Sequence, residues 1–296
     1  MQTVIQTLPG KEHDLGGGFI VRRLLPSAAR MAVGPIVFLD HFGPTRVEPD
    51  RDVDVRPHPH IGLATVTYLF EGAMIHRDSL GVVQRIEPGA VNWMKAGRGI
   101  VHSERKPPDL AQASYQSHGL QLWVGLPQSQ EDAEPGFTHT PADRIPAAAS
   151  DGAEIRVLIG SAFGVTSPVP ACSPTLYLSM RLPGGTRFEL PPLAQELAVY
   201  PIEGRLSIDG QPCPPAHLQV LAPGVTATLR SDGPAHLVVL GGSILDGPRL
   251  IWWNFVASSR ERIVRASADW AAGRFAQVPA ESGRIELPDR RPAWLA

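Results

Sequence analysis

The stretch Pro57-His58-Pro59-His60 places two imidazole side chains two positions apart. Alternate side chains of an extended strand share one face, so both rings are expected to point the same way. Pro59 cannot donate a hydrogen bond to a sheet ladder, which puts the pair at the start of a strand or on an edge strand. The stretch therefore predicts a β-fold in which His58 and His60 project together from one strand.

A second pair of the same kind, His102-Ser103-Glu104, begins 42 residues after His60. Between the two pairs, β-rich runs such as residues 65–70 and 82–86 alternate with turn residues such as Glu87-Pro88-Gly89. Short strands at this spacing are typical of an antiparallel sandwich or barrel. About four such strands would return the chain beside its starting point, so His102 and Glu104 are expected to face His58 and His60.

Three imidazoles and one carboxylate on two facing strands predict a metal site. Nitrogen and carboxylate donors suit Fe, Mn, Ni, Cu or Zn, and a set without thiolates argues against a closed structural zinc site. A lone His-x-His motif is weak evidence for metal binding, but its pairing with His-x-Glu in a β-rich sequence favours it. Four protein ligands would leave positions open for water, dioxygen or a substrate.

Length and composition describe an ordinary globular protein. The 296 residues exceed a typical single domain, so two domains are expected. With 43% hydrophobic residues, 19% charged residues and a net charge of −2, the chain has no basic stripe for direct nucleic-acid binding. It shows no signal peptide and no apolar run of membrane-spanning length, and Cys172 and Cys213 are too few for a disulfide framework. We expect a soluble, cytoplasmic protein with no membrane contact.

The chain divides into two β-rich halves. Residues 127–153 are rich in Pro, Ala, Asp and Glu and resemble a linker. Residues 68–72 and 200–204 are similar, and each segment is followed by a short hairpin and a Pro-Gly pair. The halves therefore look like copies of one β unit, with expected domains at residues 1–135 and 136–296.

One helix is expected near the end of the chain. Ser258 stands three residues before Glu261, as in a capping box. Ile263, Ala266 and Trp270 then recur at helical spacing. We expect this helix to serve packing rather than chemistry.

Several motifs resemble the pirin family. Residues 57–62 with 65–72, and residues 93–104, are similar to the two pirin signatures, and further matches occur at 38–44, 119–124 and 253–256. The resemblance implies an all-β bicupin, two jelly-roll barrels in tandem with a short C-terminal helix. It also implies one Fe(II) per chain, with His58, His60, His102 and Glu104 matching the four family ligands.

Two departures from the family pattern affect these expectations. Ala64 occupies a position where cupins and many pirins have a glutamate, so Glu104 is the only acidic ligand expected. The C-terminal half has no His-x-His motif, and Cys213 and His217 do not replace it. We therefore expect the C-terminal barrel to be metal-free.

The resemblance implies two functions and leaves a third open. The first is an oxidoreductase like quercetin 2,3-dioxygenase, which cleaves a flavonol or another aromatic enol with O₂, with Glu104 as the base. The second is an iron-dependent redox-sensing regulator that binds a transcription or metabolic protein. The third is a sugar- or small-ligand-binding cupin without redox chemistry. A monomer is expected.

Other polar and aromatic side chains are weaker candidates. His76 could face the pocket or solvent equally well. Trp93 and Met94 could line the mouth of the pocket but are expected to serve core packing, and His118 is expected to serve hydrogen bonding. Asp40 and His41 lie in one of the family motifs, and the resemblance implies no role for them.

Overall fold

The computed structural model describes residues 2–15 and 19–295, which contain 26 strands, one α-helix and four short 3-10 helices. The first thirteen strands are β1 (Val4–Pro9), β2 (Lys11–Asp14), β3 (Ile20–Leu25), β4 (Ile36–Val47), β5 (Val55–His60), β6 (Leu63–Glu71), β7 (Met74–Asp78), β8 (Val83–Ile86), β9 (Val91–Lys95), β10 (Ile100–Arg105), β11 (Tyr115–Gly125), β12 (Gly136–Thr140) and β13 (Ala147–Ser150). The others are β14 (Ala153–Ile159), β15 (Ser161–Ala162), β16 (Val165–Thr166), β17 (Thr175–Leu182), β18 (Arg187–Leu190), β19 (Glu196–Glu203), β20 (Leu206–Ile208), β21 (Gln211–Pro212), β22 (His217–Leu221), β23 (Ala227–Ser231), β24 (Ala235–Gly242), β25 (Leu250–Trp252) and β26 (Phe255–Ala257). The helices are α1 (Arg260–Ala271) and the 3-10 turns Pro108–Leu110, Gln128–Gln130, Ala142–Arg144 and Ala293–Leu295.

The chain forms two compact units, and neither is a single stretch of sequence. Unit 1 comprises Met1–His13, Val21–His41 and Thr140–Ile244, and unit 2 comprises Asp14–Ile20, Phe42–His139 and Leu245–Ala296. The expected boundary at 135/136 lies close to the passage from unit 2 to unit 1 at His139/Thr140. A single cut cannot describe the units, because early residues belong to unit 1 and the last fifty to unit 2.

Unit 1 is a sandwich of two antiparallel sheets. The larger has the order β1-β22-β19-β24-β17-β14-β13, and the smaller has the order β18-β23-β20-β21. Apolar residues of both sheets, such as Val199, Val239 and Phe188, form one buried cluster. Along β18 buried and exposed residues alternate, so one face of the smaller sheet is buried, whereas β24 in the larger sheet is buried along its whole length.

Unit 2 repeats this topology. Its larger sheet has the order β12-β9-β6-β11, followed by the part of β4 that begins at Phe42, and its smaller sheet has the order β5-β10-β7-β8. The orders β9-β6-β11 and β5-β10-β7-β8 correspond to β22-β19-β24 and β18-β23-β20-β21 in unit 1. The two copies of one β unit inferred from residues 68–72 and 200–204 are therefore confirmed, and with them the all-β tandem architecture.

Helix α1 has the expected buried face but not the expected cap. Ile263, Ala266 and Trp270 are buried, which confirms a packing role. The residue at the N-cap is Ser259, and it makes no side-chain capping bond. Ser258, the predicted cap, instead donates its backbone N–H (2.7 Å) and Oγ (2.8 Å) to the carboxylate of Glu131. The capping-box prediction was wrong.

The expected linker is partly ordered into strands. Within residues 127–153, β12 lies at the edge of the larger sheet of unit 2, and β13 lies at the edge of the larger sheet of unit 1. Neither Cys172 nor Cys213 is part of a disulfide. No helix in the described ranges is long and apolar enough to cross a membrane.

Candidate metal centre

Strands β5 and β10 bring the four predicted ligand residues into one small sheet. The two strands are antiparallel, and His102 lies directly opposite His58. The register shifts between His102 and Glu104, so that Glu104 lies opposite Val55. On the other side of β10 the pairing with β7 is regular. The two ligand pairs thus lie on neighbouring strands, where His58 and His102 are directly opposite each other and His60 and Glu104 are not.

Three of these residues form a tight cluster of imidazoles. The ring centroids of His58 and His102 are 4.3 Å apart, those of His60 and His102 are 5.0 Å apart, and those of His58 and His60 are 5.1 Å apart. One nitrogen from each ring lies within 4.8 Å of the others, and all three side chains are buried. Three imidazoles at these separations could hold one metal ion.

Two of the imidazoles are oriented by backbone carbonyls. His58 Nδ1 lies 2.9 Å from the carbonyl oxygen of Arg56, and His60 Nδ1 lies 3.0 Å from that of Asn254. A carbonyl oxygen only accepts, so each Nδ1 must donate its proton and each Nε2 keeps a free lone pair. In metal-binding histidines, the ring nitrogen that does not bind the metal commonly donates a hydrogen bond in this way.

A close backbone approach at Gly62 makes the Asn254 contact possible. Gly62 has a φ of +65°, and a Cβ atom there would lie 2.0 Å from the carbonyl oxygen of Val256. The Val256 N–H donates to the carbonyl of Ile61 (3.2 Å) in the same region. The absence of a side chain at Gly62 therefore lets the segment around Asn254 pass close beside the end of β5.

His102 and Glu104 have buried polar atoms without a hydrogen bond. His102 Nδ1 lies 3.3 Å from Glu104 Oε1, yet neither ring nitrogen of His102 makes a hydrogen bond, and nor does Glu104 Oε2. Buried polar atoms without a protein partner are rare in folded proteins and are typical of sites that bind an ion or water. Together with the free Nε2 atoms of His58 and His60, this donor set fits a divalent metal.

Burial shifts the pKa values of these groups strongly in the metal-free chain. Burial lowers the pKa of His58 to about 4 and those of His60 and His102 well below their ordinary value, so all three are neutral at pH 7. Burial raises the pKa of Glu104 to about 8, although its side chain is 19% exposed, because Oε2 itself is enclosed. Neutral imidazoles are the form that binds a metal.

A fourth histidine stands beside the cluster. His76 lies opposite Glu104 on β7, and its ring centroid is 5.3 Å from that of His102. His76 Nε2 is 3.1 Å from Asp78 Oδ2, and the ring stacks on Phe137 at 4.4 Å. His76 thus faces the buried side rather than solvent. The sequence interpretation did not consider Asp78, although the spacing His76-x-Asp78 could have pointed to it.

The other candidates have structural contacts. Trp93 and Met94 are buried, as expected for packing, and the His118 ring packs on Phe70 at 4.8 Å. In unit 1, Asp40 accepts two hydrogen bonds from Arg23 (2.9 and 2.8 Å). The remaining candidate, His41, lies with Nδ1 2.8 Å from Oη of Tyr200.

Unit 2 also has a cleft of about 650 Å³ next to the end of β5. Its lining includes Ile61, Arg98, Arg262 and Phe275, but none of the four predicted ligands.

Comparisons with known proteins identify the family. Residues 18–124 match the family model described as Pirin, and residues 177–276 match that of the Pirin C-terminal cupin domain. A pirin-like protein from Caulobacter vibrioides is 44% identical over 284 residues, covering 94% of this chain and 97% of that protein. The chain belongs to the pirin family.

Two further relatives of this pirin extend the comparison. Human pirin is 33% identical over 268 residues, which cover 88% of this chain and 89% of the human protein. A crystal structure of quercetin 2,3-dioxygenase from Acinetobacter baumannii has a TM-score of 0.90 and 34% sequence identity, covering 98% of this pirin and 97% of that chain. The bicupin fold expected from the sequence motifs is therefore confirmed.

Proposed function

We propose that this pirin is a metal-dependent dioxygenase that cleaves quercetin-type flavonols or a related aromatic enol with O₂. One divalent metal per chain, Fe(II) in the first place, is held by His58, His60, His102 and Glu104. Mn, Ni, Cu or Zn would suit the same donors. The protein acts in the cytoplasm as a monomer.

The buried cluster of three imidazoles carries the proposal. Hydrogen bonds to the carbonyls of Arg56 and Asn254 hold the rings of His58 and His60 with Nε2 unprotonated. Neither ring nitrogen of His102 makes a hydrogen bond that would compete with a metal. The likeness to a quercetin 2,3-dioxygenase, at 34% identity over almost the whole chain, supports the choice of reaction. Family membership alone would not select it, because fold does not determine function.

The residues of the chain supply proton transfer and exclusion of water. When bound, the metal supplies redox activity and positive charge for the deprotonated substrate and O₂. A flavonol must lose the proton of its 3-hydroxyl, and Glu104 Oε2 is the acceptor we propose. Oε2 is buried and makes no hydrogen bond, so no protein group competes for it with the substrate proton. Trp123, whose ring lies 5.1 Å from that of His60, shields the cluster.

Anaerobic iron loading followed by O₂ uptake with quercetin tests the proposal. Catalytic O₂ consumption with release of CO is expected, and the metal-free protein serves as the control. Oxidation of one equivalent of iron without turnover would contradict the dioxygenase. That outcome would favour the second function, an iron-dependent redox sensor that acts through a protein partner.

A further inference from the structure

The carboxylate of Glu281 binds the face of strand β10 that points away from the three imidazoles. Side chains alternate along β10, so Ser103 and Arg105 lie on the face opposite to His102 and Glu104. Ser103 Oγ donates to Glu281 Oε1 (3.1 Å), and Arg105 Nε donates to the same oxygen (3.1 Å). Arg105 Nη2 also donates to Glu281 Oε2. Glu281 therefore contacts the residues on both sides of Glu104.

These contacts are enclosed and charged. The Glu281 side chain is 8% exposed, and Ser103 is fully buried. Arg77 of the neighbouring strand β7 reaches the same carboxylate at 3.7 Å. Arg105 also lies 3.3 Å from Asp54, which immediately precedes β5. Charge-assisted hydrogen bonds shielded from water fix geometry more strongly than exposed ion pairs do.

Glu104 is paired regularly only on the β7 side of β10. The register between β10 and β5 shifts between His102 and Glu104, so the ladder with β5 does not fix the spacing of these two side chains. The Ile285 N–H also donates to the carbonyl of Pro57 (2.8 Å), beside His58. Glu281 thus binds β10 and Ile285 binds β5, in each case at residues next to a proposed ligand.

We propose that Glu281 is a positioning residue of the metal site, which acts through Ser103 and Arg105 to hold His102 and Glu104 at ligand geometry. This inference rests on the proposed function, because it assumes that His102 and Glu104 bind the metal. Glu281 lies behind the strand and takes no part in the ligand set itself. Its loss should change the geometry and affinity of the bound metal rather than the number of ligands.

Cobalt(II) binding to the whole protein tests the inference without any turnover measurement. We would compare the wild type with Glu281→Gln, which keeps the size of the side chain but removes the charged acceptor. Ser103→Ala removes one of the same hydrogen bonds without changing charge, and it serves if Glu281→Gln does not fold. The readouts are the Kd for Co(II) against a competing chelator and the visible absorption spectrum at full occupancy.

Glu131→Gln is the matched control. Glu131 is also a buried carboxylate of unit 2, bound by Ser258, Arg249 and Arg262 rather than by the ligand strands. Its loss should lower thermal stability while leaving the Kd and the spectrum of Co(II) unchanged.

For Glu281→Gln we expect the Kd to rise by about 10- to 100-fold, the usual effect of removing a group behind a ligand, with an altered spectrum. Ser103→Ala should raise the Kd and alter the spectrum in the same direction as Glu281→Gln, but to a smaller extent. A Glu281→Gln protein with wild-type Kd and spectrum would overturn the inference while leaving the proposed site intact, and so would a Glu131→Gln protein altered to the same degree. A wild type that binds no Co(II) would refute the proposed site and the inference together.

Discussion

Glu104 is the residue with two proposed roles, ligand and base. Its Oε1 lies near His102 Nδ1, and its Oε2 is buried without a hydrogen bond. A ligand supplies negative charge and an oxygen donor, whereas a base must also accept the substrate proton. These roles respond differently to an amide, which keeps the size and one oxygen but cannot accept the proton.

Glu104→Gln should lower quercetin turnover by roughly 10²–10⁴-fold, the usual contribution of a positioned proton acceptor. Some metal binding should survive, because the three histidines and the amide oxygen remain. Metal content must be measured on the same sample, since metal-free protein would show the same loss. Near-normal turnover by a fully metallated variant would exclude Glu104 from proton transfer and make His76, paired with Asp78, the next acceptor to test.

Metal binding should release a proton from Glu104. Burial raises the pKa of this carboxyl to about 8, so in the metal-free chain at pH 6–7 it is protonated, whereas His58, with a pKa of about 4, is already neutral. A metal requires the carboxylate, so about one proton per metal should leave at pH 6–7 and almost none above about pH 9. Affinity should therefore rise with pH up to about 8 and then level off.

Calorimetric titration in buffers with different heats of ionisation counts this proton. Glu104→Gln is the control and should release none at any of these pH values. If the wild type released as many protons above pH 9 as at pH 6–7, or if Glu104→Gln also released a proton, the proton would come from a group other than Glu104.

At the scale of elements, the start of α1 depends on the buried carboxylate of Glu131. Ser258→Ala removes the 2.8 Å bond from Oγ to this carboxylate, which is almost fully enclosed. We expect a loss of about 1.5–3 kcal/mol in the free energy of unfolding, the range for a hydrogen bond to a charged group. Denaturant unfolding measures it. Ser259→Ala at the N-cap, where no side-chain capping bond exists, should cost clearly less, and equal losses would argue against this account.

Local periodicity predicted much of the site. Alternation along a strand depends only on backbone geometry, so it was enough to place His58 with His60 on one face. The buried positions of α1 followed from its 3.6-residue period in the same way. The N-terminus of α1 was predicted wrongly because Glu131, distant in sequence, binds Ser258. The roles of Asn254 and Glu281 depend on pairings between distant segments, which no local pattern reports.

At the scale of the whole molecule, the second β unit fills the positions equivalent to the metal site with apolar side chains. Strands β18 and β23 correspond in sheet order to β5 and β10. Phe188 lies opposite Leu229, where His58 lies opposite His102, and both are fully buried in the core of unit 1. Leu190, two residues after Phe188, is also fully buried in this core. This packing supports the prediction that the C-terminal barrel holds no metal.

Elemental analysis should therefore find about one metal per chain. His102→Ala should lose most of it, since a site of this size tolerates few missing ligands. His139→Ala is a suitable control, because His139 pairs with Asn92 and not with the cluster. Two metals per chain, or a metal content unaffected by His102→Ala, would contradict the assignment of the site to unit 2.

The division into units was harder to foresee than the repeat itself. Similar segments at 68–72 and 200–204 were enough to indicate two copies. The pairing of β1 with β22 is a contact across more than two hundred residues, and composition does not report such contacts. For that reason a boundary drawn at 135/136 separates β1 from its own sheet.

The order in which the ribosome makes the chain sets when the metal centre can be completed. His60 is oriented by the carbonyl of Asn254, and the strands bearing the histidines are bound by Glu281 and Ile285. At about 5–20 residues per second, roughly 10–35 s separate the synthesis of Glu104 from that of Ile285. A nascent chain that already exposes all four ligands thus lacks the contacts that hold them. Stable binding of the proposed metal is therefore expected only once the chain has been made through Ile285.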